Sequence, residues 1–252
     1  MMAEDQEDSN ASGSPIGRRI ILGMAAVGAA GIAFGSRISG PVNRAVNALS
    51  GGSSNGLSQL LPVGNDFRIY TVTGGYPTRS IDEYQLAING LVRNPLTLSF
   101  TDLQARPVLE MTRDFQCVTG WRVDDVHWRG VALADLLDEA QMHDSAQAIR
   151  FKSFDGVYSE SLTLAQARRR DVLVAYEMIG QQVTREHGGP VRLYVPSMYG
   201  YKSIKWLESI EVVDRVIPGY WERLGYDVDA YVGASNGRRD KQIEGSELAN
   251  NG

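Results

Sequence analysis

Apolar and polar residues alternate along "YQLAINGLV", positions 84–92, just before Asn94-Pro95. That period of two predicts a strand followed by a turn. The segment "TDLQAR" after Phe100 predicts a short helix with Thr101 as its cap. "RDFQCV" predicts a strand that runs into a turn at Thr119-Gly120. In "GVALADLLDEA", Val131, Leu133, Leu136 and Leu137 fall at helical spacing, which predicts an amphipathic helix. "AIRFKSF" predicts a strand, Asp155-Gly156 a turn and "LTLAQARRR" a second short helix. "VRLYVP" and "SIKWLESIEVVD" are rich in β-branched and aromatic residues and predict further strands. The sum is an α+β fold, mixed β-sheets with short helices, in a single domain over residues 61–232. No G-x-G-x-x-G opens a helix after a strand, and strands do not alternate regularly with helices, so a dinucleotide-binding fold is not expected.

The flanks differ from this domain. Residues 1–15 are polar and acidic without apolar period, and read as a disordered tail. Arg18 and Arg19 then stand directly before a modest Ala/Gly-rich apolar run, the arrangement of a twin-arginine export signal. The uncharged run from Ile20 to Phe34 is short for a membrane span of about 20 residues, although an uncut signal would still act as a tether. Residues 1–49 are therefore assigned to tail plus signal or anchor, 50–60 to a Gly/Ser linker and 233–252 to a flexible tail. Periplasmic or extracytoplasmic location follows. As that route is generally understood, it carries proteins already folded around a cofactor.

Charge and composition remove other classes. Across 252 residues, 25 Lys+Arg face 30 Asp+Glu for a net charge of −5, with no basic stripe for nucleic acid. One cysteine and three histidines cannot close a four-ligand zinc site from Cys and His alone, and no Cys-x-x-Cys-His haem signature is present. Any metal must bring most of its own ligands.

Cys117 is the one cysteine. It has three readings: a small buried hydrophobe, a nucleophile, or a single metal ligand. As a nucleophile it would define a cysteine hydrolase with His127 or His187 as base, oriented by Asp124 or Asp125. The stretch Glu186–Val212 gathers His187, two glycines, Arg192, Tyr199, Lys202, Ser203, Lys205 and Trp206. Glycines that permit close approach, followed by cations, suit a phosphorylated ligand. The alternative is a pair of ordinary strands whose cations, Lys202 among them, face solvent.

The succession "CVTGW", "W.G..L..LL", "F.S.DG", "HGGPVRL.VP..YG.KSIKWL..I" and "GYWERLGY" resembles the sulfite oxidase family of molybdopterin-dependent oxidoreductases. It is most similar to bacterial exported members related to the catalytic subunit of periplasmic protein-methionine-sulfoxide reductase. The resemblance runs from about Asp66 to Tyr226. It implies Mo-molybdopterin with one molybdenum and one pterin, and two-electron oxygen-atom transfer on a small oxyanion or sulfoxide.

It also implies roles. Cys117 matches the cysteine whose thiolate binds molybdenum. His187 matches a pterin-contacting position, Arg192 an arginine at the pterin and substrate pocket, and Ser203 and Lys205 the residues that hold the pterin phosphate. Ser153 aligns with a hydroxyl residue of the reductases, and Arg68 with an N-terminal arm that meets pterin or substrate. Tyr226 falls where sulfite oxidases keep an active-site tyrosine. The expected catalytic set is Cys117, Arg192 and Tyr226; the expected cofactor set is Arg68, Ser153, His187, Arg192, Ser203 and Lys205. The C-terminal dimerisation domain and haem domain of sulfite oxidases are not expected, so electrons would pass to or from a separate partner, a membrane haem subunit or a cytochrome. A cofactor-free interaction domain of the same fold is the remaining alternative.

Overall fold

In a computed structural model, the structure describes residues 66–234. The acidic tail, Arg18-Arg19 with its apolar run, the Gly/Ser linker, residues 61–65 and all but the first two residues of the C-terminal tail lie outside the described residues.

Two sheets form the body. The first contains β1 (Gln85–Gly90), β2 (Leu96–Ser99), β5 (Ala148–Ser153), β6 (Ser159–Thr163) and β10 (Leu207–Val213), in the order β2-β1-β10-β5-β6. β1 runs parallel to β10, while the other pairs are antiparallel. The second sheet contains β3 (Leu109–Gln116), β4 (Arg122–Ala132), β7 (Leu173–Met178) and β8 (Gln181–Gln182), with β9 (Arg192–Tyr194) also on β7. Three short helices, α1 (Phe100–Gln104), α2 (Leu133–Ala140) and α3 (Leu164–Ala167), join or cap the strands. The α+β class with mixed sheets stands.

The larger core lies between the sheets. Leu86, Ile88, Phe151 and Ile210 from the first meet Val131, Val174, Tyr176 and Leu193 from the second, and α2 adds Leu133, Leu136 and Leu137. A second cluster covers the other face of the second sheet: Phe115, Trp121, Trp128, Leu173, Ala175 and Tyr194. β7 therefore sends Val174 and Tyr176 into one core and Leu173 and Ala175 into the other. Burial on both faces abolishes the alternation that marks a half-buried strand, which is why "LVAYEM" carries no period of two.

The element boundaries correct several expectations. α1 starts at Phe100, and its cap is Ser99, not Thr101: the Ser99 hydroxyl accepts from the Asp102 N–H while Asp102 reaches back to the Ser99 N–H. Gly130–Ala132 belong to β4 rather than to α2. Ser203–Trp206 precede β10, and Lys202 ends a 3-10 turn, Gly200–Lys202, with its side chain fully buried. β4, the longest strand, is interrupted in register opposite Asp114, where Asp125 adopts φ 54° and its N–H bonds Asp114 Oδ1 at 3.0 Å. The Asp124-Asp125 pair thus forms a bulge inside a strand.

Gly130 is where β4 passes closest to β7. A Cβ there would sit 2.1 Å from the Val174 carbonyl oxygen. Gly130→Ala is therefore expected to destabilise the fold by about 1–3 kcal/mol in chemical denaturation, because backbone must move to admit a methyl group. An unchanged midpoint would contradict this packing.

Candidate active site

β3 ends at Gln116, and Cys117 is the next residue. The Cys117 N–H bonds the Trp121 carbonyl at 2.9 Å, and Gly120, at φ +98°, returns its N–H to the Cys117 carbonyl at 3.1 Å. Only glycine takes that φ without strain, so it closes the loop. The loop aims donors at the sulfur: the Thr119 hydroxyl lies 3.2 Å from Sγ, and the Val118 and Thr119 N–H groups point the same way. Burial pushes the thiol pKa up, while these donors and nearby Arg68 pull it down. Such a nest is built to receive negative charge on sulfur.

The arm from Asp66 to Tyr76 lies beside this turn. Phe67 packs against Phe115 at 5.4 Å, Trp121 at 6.2 Å and His187 at 4.9 Å between ring centroids. Arg68 and the Tyr70 hydroxyl both feel the Cys117 sulfur, as does Tyr199 across the site. The arm is held by Lys205, whose Nζ donates to the Tyr70 carbonyl at 2.6 Å. Burial pushes the Lys205 ammonium down to about 7, aided by the Arg192 charge. The same two causes, burial and then Arg192, lower His187, with Lys205 contributing next. Gly188 makes this approach possible: at φ +102°, a Cβ would lie 2.5 Å from that of Lys205.

Arg192 occupies the centre. It is 3% exposed, and its guanidinium donates from Nη1 to the His187 carbonyl at 2.7 Å and from Nη2 to the Ser203 carbonyl at 3.0 Å. It sits 5.5 Å from the ring centres of both Phe115 and Trp128. Burial lowers its pKa to about 10, yet it stays charged at neutral pH. Its engagement with main-chain carbonyls makes it a brace between loops. Ser203 is equally buried, and its Oγ accepts from the Val195 N–H at 3.0 Å. The Ser153 Oγ accepts from the Asp155 N–H at 3.1 Å inside the turn after β5. Each serine keeps its hydroxyl proton to donate to an anionic ligand.

Tyr226 is half-buried on the C-terminal segment, 5.6 Å from the Tyr201 ring and 5.3 Å from that of Trp221. Its neighbour Asp227 feels Tyr199, which also feels Cys117, so this aromatic group adjoins the cysteine side of the site. Lys202 contradicts the solvent-facing reading outright. Its ammonium is enclosed by Glu160, Glu222 and the Ser161 carbonyl. Sequence reasoning also passed over Thr119, Tyr70 and Phe67; all lie in stretches that carry the resemblance, but their spacing alone gives no sign of a shared site.

The donor set fits a molybdenum cofactor in kind. Among the described residues no group of three His, Cys, Asp or Glu could hold a metal, so a metal here must carry other ligands and take one soft thiolate from the protein. The Gly188–Lys205 approach leaves a low wall beside a half-buried cation, which suits an anionic group. Cys117 receives its hydrogen bond from Thr119, while His127 sits 3.9 Å from Glu110 on β4 and His187 packs on Phe67. The hydrolase alternative finds no support in this arrangement.

These features define a two-sheet fold with one thiol set in a turn of hydrogen-bond donors. The family described as oxidoreductase molybdopterin binding domain matches residues 73–221, and the chain belongs to it. Among its relatives, an uncharacterized oxidoreductase, YuiH, of Bacillus subtilis is 37% identical over 61% of this chain and 78% of its own. Sulfite oxidase of Arabidopsis thaliana is 32% identical over 58% of this chain and 46% of its own. The protein-methionine-sulfoxide reductase catalytic subunit MsrP of Ralstonia nicotianae is 33% identical over 55% and 46%. The chain thus spans about half the length of these last two. In fold it is similar to the sulfane dehydrogenase SoxCD of Paracoccus pantotrophus, with a TM-score of 0.52 and 24% identity over 60% of this chain and 46% of that one.

The brace role of Arg192 makes a prediction. Arg192→Lys keeps the charge but cannot span both carbonyls, so the fold should lose about 1.5–3 kcal/mol in chemical denaturation. Undiminished stability with impaired turnover would return Arg192 to the role of substrate contact.

Proposed function

We propose that this chain binds one Mo-molybdopterin through Cys117 and catalyses two-electron oxygen-atom transfer on a small oxyanion or a sulfoxide. The observation that carries the reading is the Cys117 turn, where one thiol is ringed by Thr119, backbone N–H groups and Arg68. The bound cofactor supplies the oxygen-atom and electron chemistry, and the protein supplies anchorage, orientation and charge.

Cys117 would ligate the metal as thiolate, with the metal's charge offsetting the burial that raises its pKa and the surrounding donors assisting. Arg68, on the arm beside the sulfur, takes the part of holding a substrate oxygen by a charge-assisted hydrogen bond. Tyr226 donates a further hydrogen bond from the aromatic segment. His187 contacts the pterin from the neutral state that its lowered pKa favours. Lys205, with the Ser203 hydroxyl proton, receives the pterin phosphate; an anion there would restore the full charge that burial weakens. Ser153 braces the turn behind the site, and Arg192 fixes the spacing of the His187 and Ser203 loops.

Electrons pass to or from a separate partner, a membrane haem subunit or a cytochrome. The paired Arg18-Arg19 sends the loaded protein out by the twin-arginine route to a periplasmic or extracytoplasmic site. Among the described residues no helix is long and apolar enough to cross a membrane.

Protein from a host that makes molybdopterin should carry about one molybdenum per chain, given a single thiolate anchor. Lys205→Ala should lower that content. Its melting temperature should fall with it, by roughly 2–4 °C per kcal/mol of cofactor binding lost. Full occupancy with unchanged melting would remove Lys205 from the cofactor site, and a metal-free, fully active enzyme would end the reading as a whole.

A further inference from the structure

Glu160 on β6, Lys202 in the 3-10 turn and Glu222 in the 3-10 turn Glu222–Leu224 are all fully buried. Lys202 Nζ donates to Glu160 Oε1 at 2.8 Å, to the Ser161 carbonyl at 2.7 Å and to Glu222 Oε1. Its three protons are therefore committed. Glu222 Oε2 accepts from the Gly219 N–H at 2.7 Å, and Glu160 Oε1 takes a second bond from the Ser161 N–H at 2.8 Å. Glu160 Oε2 is buried and meets no donor among the described residues. Yet one Lys202 ammonium bonds both carboxyl groups, which brings them side by side in the pocket. Two carboxylates only accept, so a bond between them requires a proton on one.

The other groups that face the cluster among the described residues are tyrosines and acids. Tyr158, ahead of β6, and Tyr201, in the 3-10 turn, face the cluster with hydroxyls that donate to the Tyr201 and Asp227 carbonyls, at 2.7 Å each. Asp155 and Asp227 are felt through these tyrosines and are acidic too. Opposite Glu160, β5 presents the apolar Phe151. With both carboxyls ionised, this pocket would hold an unbalanced buried negative charge, a state that low dielectric strongly disfavours.

We propose that Glu160 and Glu222 share one proton, and that the resulting neutral cluster with Lys202 is a positioning device that seats the segment carrying Tyr226 against the loop carrying Ser203 and Lys205. Glu222 lies four residues before Tyr226, and Lys202 directly before Ser203, so the cluster joins the two segments behind the site. This assignment rests on the proposed function for what the segments do, but not for the proton itself.

Burial and the proximity of Glu222 outweigh the pull of Lys202 and raise Glu160 to about 8. The folded state therefore keeps a proton that the unfolded chain releases near its ordinary carboxyl range. Stability from this group is full below that range, declines as pH rises, and has been lost by about 8.

The test uses full-length protein and hydrogen exchange of the peptide spanning residues 219–226. Its protection factors should fall as pH rises from about 5 to about 8, by at most about tenfold per pH unit, and then level off, as one linked proton dictates. Glu160→Gln, which donates an amide N–H in place of the proton, should make this profile flat. The alkaline limb of kcat should shift in the same variant. If the variant folds poorly, infrared spectra of the wild type decide the matter: a protonated-carboxyl band should titrate away near pH 8. Wild-type protection independent of pH, a Glu160→Gln variant that keeps the slope, or a missing carboxyl band would each overturn the proposal. None of these three readouts needs bound molybdenum, so their failure is distinct from a failure of the molybdopterin reading, which metal content tests.

Discussion

One buried guanidinium holds the site in register. Arg192 leaves water entirely, which is unfavourable for a cation unless its donors are satisfied and its faces are covered. Both conditions are met by groups that the site needs in place. The His187 and Ser203 carbonyls accept its hydrogen bonds, and Phe115 and Trp128 flank it. Phe115 lies two residues before Cys117 on the strand that delivers the thiol. The loop that presents His187, the loop that presents Ser203 and Lys205, and the strand behind Cys117 thus converge on one fixed charge. A shorter or more mobile cation would leave these segments free to separate, and with them the thiol and the anion-binding side.

The sheets make this convergence possible. β7 is buried on both faces, so the second sheet carries a core on each side, and the site cluster occupies the outer one. Trp128 and Tyr194 stack at 4.0 Å within it, and Tyr194 bonds the Asp114 carbonyl where β4 bulges. The Tyr194 bond ties the bulged part of β3 to β9. The arm at Phe67–Tyr70 then closes over it through ring contacts and the Lys205 bond. Packing thereby sets the placement of each polar group.

Much of this was legible in the sequence, and the reasons for success and failure are physical. β1 and β5 show clear alternation or β-branched content, and Cys117 with Gly120 marks a tight turn. β4 and β7 were missed because one carries Asp-Asp at a bulge and the other is apolar on both faces. The carbonyl acceptors of Arg192 were not legible, since no local pattern encodes main-chain partners on two separate loops. The buried pairing of Lys202 was not legible for a related reason. Its carboxylates stand 42 and 20 residues away, and no local pattern encodes a pairing at that range. Ser153 and Ser203 were recognisable as hydroxyls near the site, but their bonds to neighbouring backbone appear only once the turns are formed.

The central claim is that Cys117 gives its sulfur to molybdenum. X-ray absorption at the molybdenum edge tests it most directly, comparing wild type with Cys117→Ser. Serine is nearly isosteric, so the variant should fold and keep the pterin. The wild-type spectrum should contain one more metal–sulfur vector than that of the variant, and oxygen-atom transfer should be lost with it. An identical sulfur shell in both proteins would contradict the account.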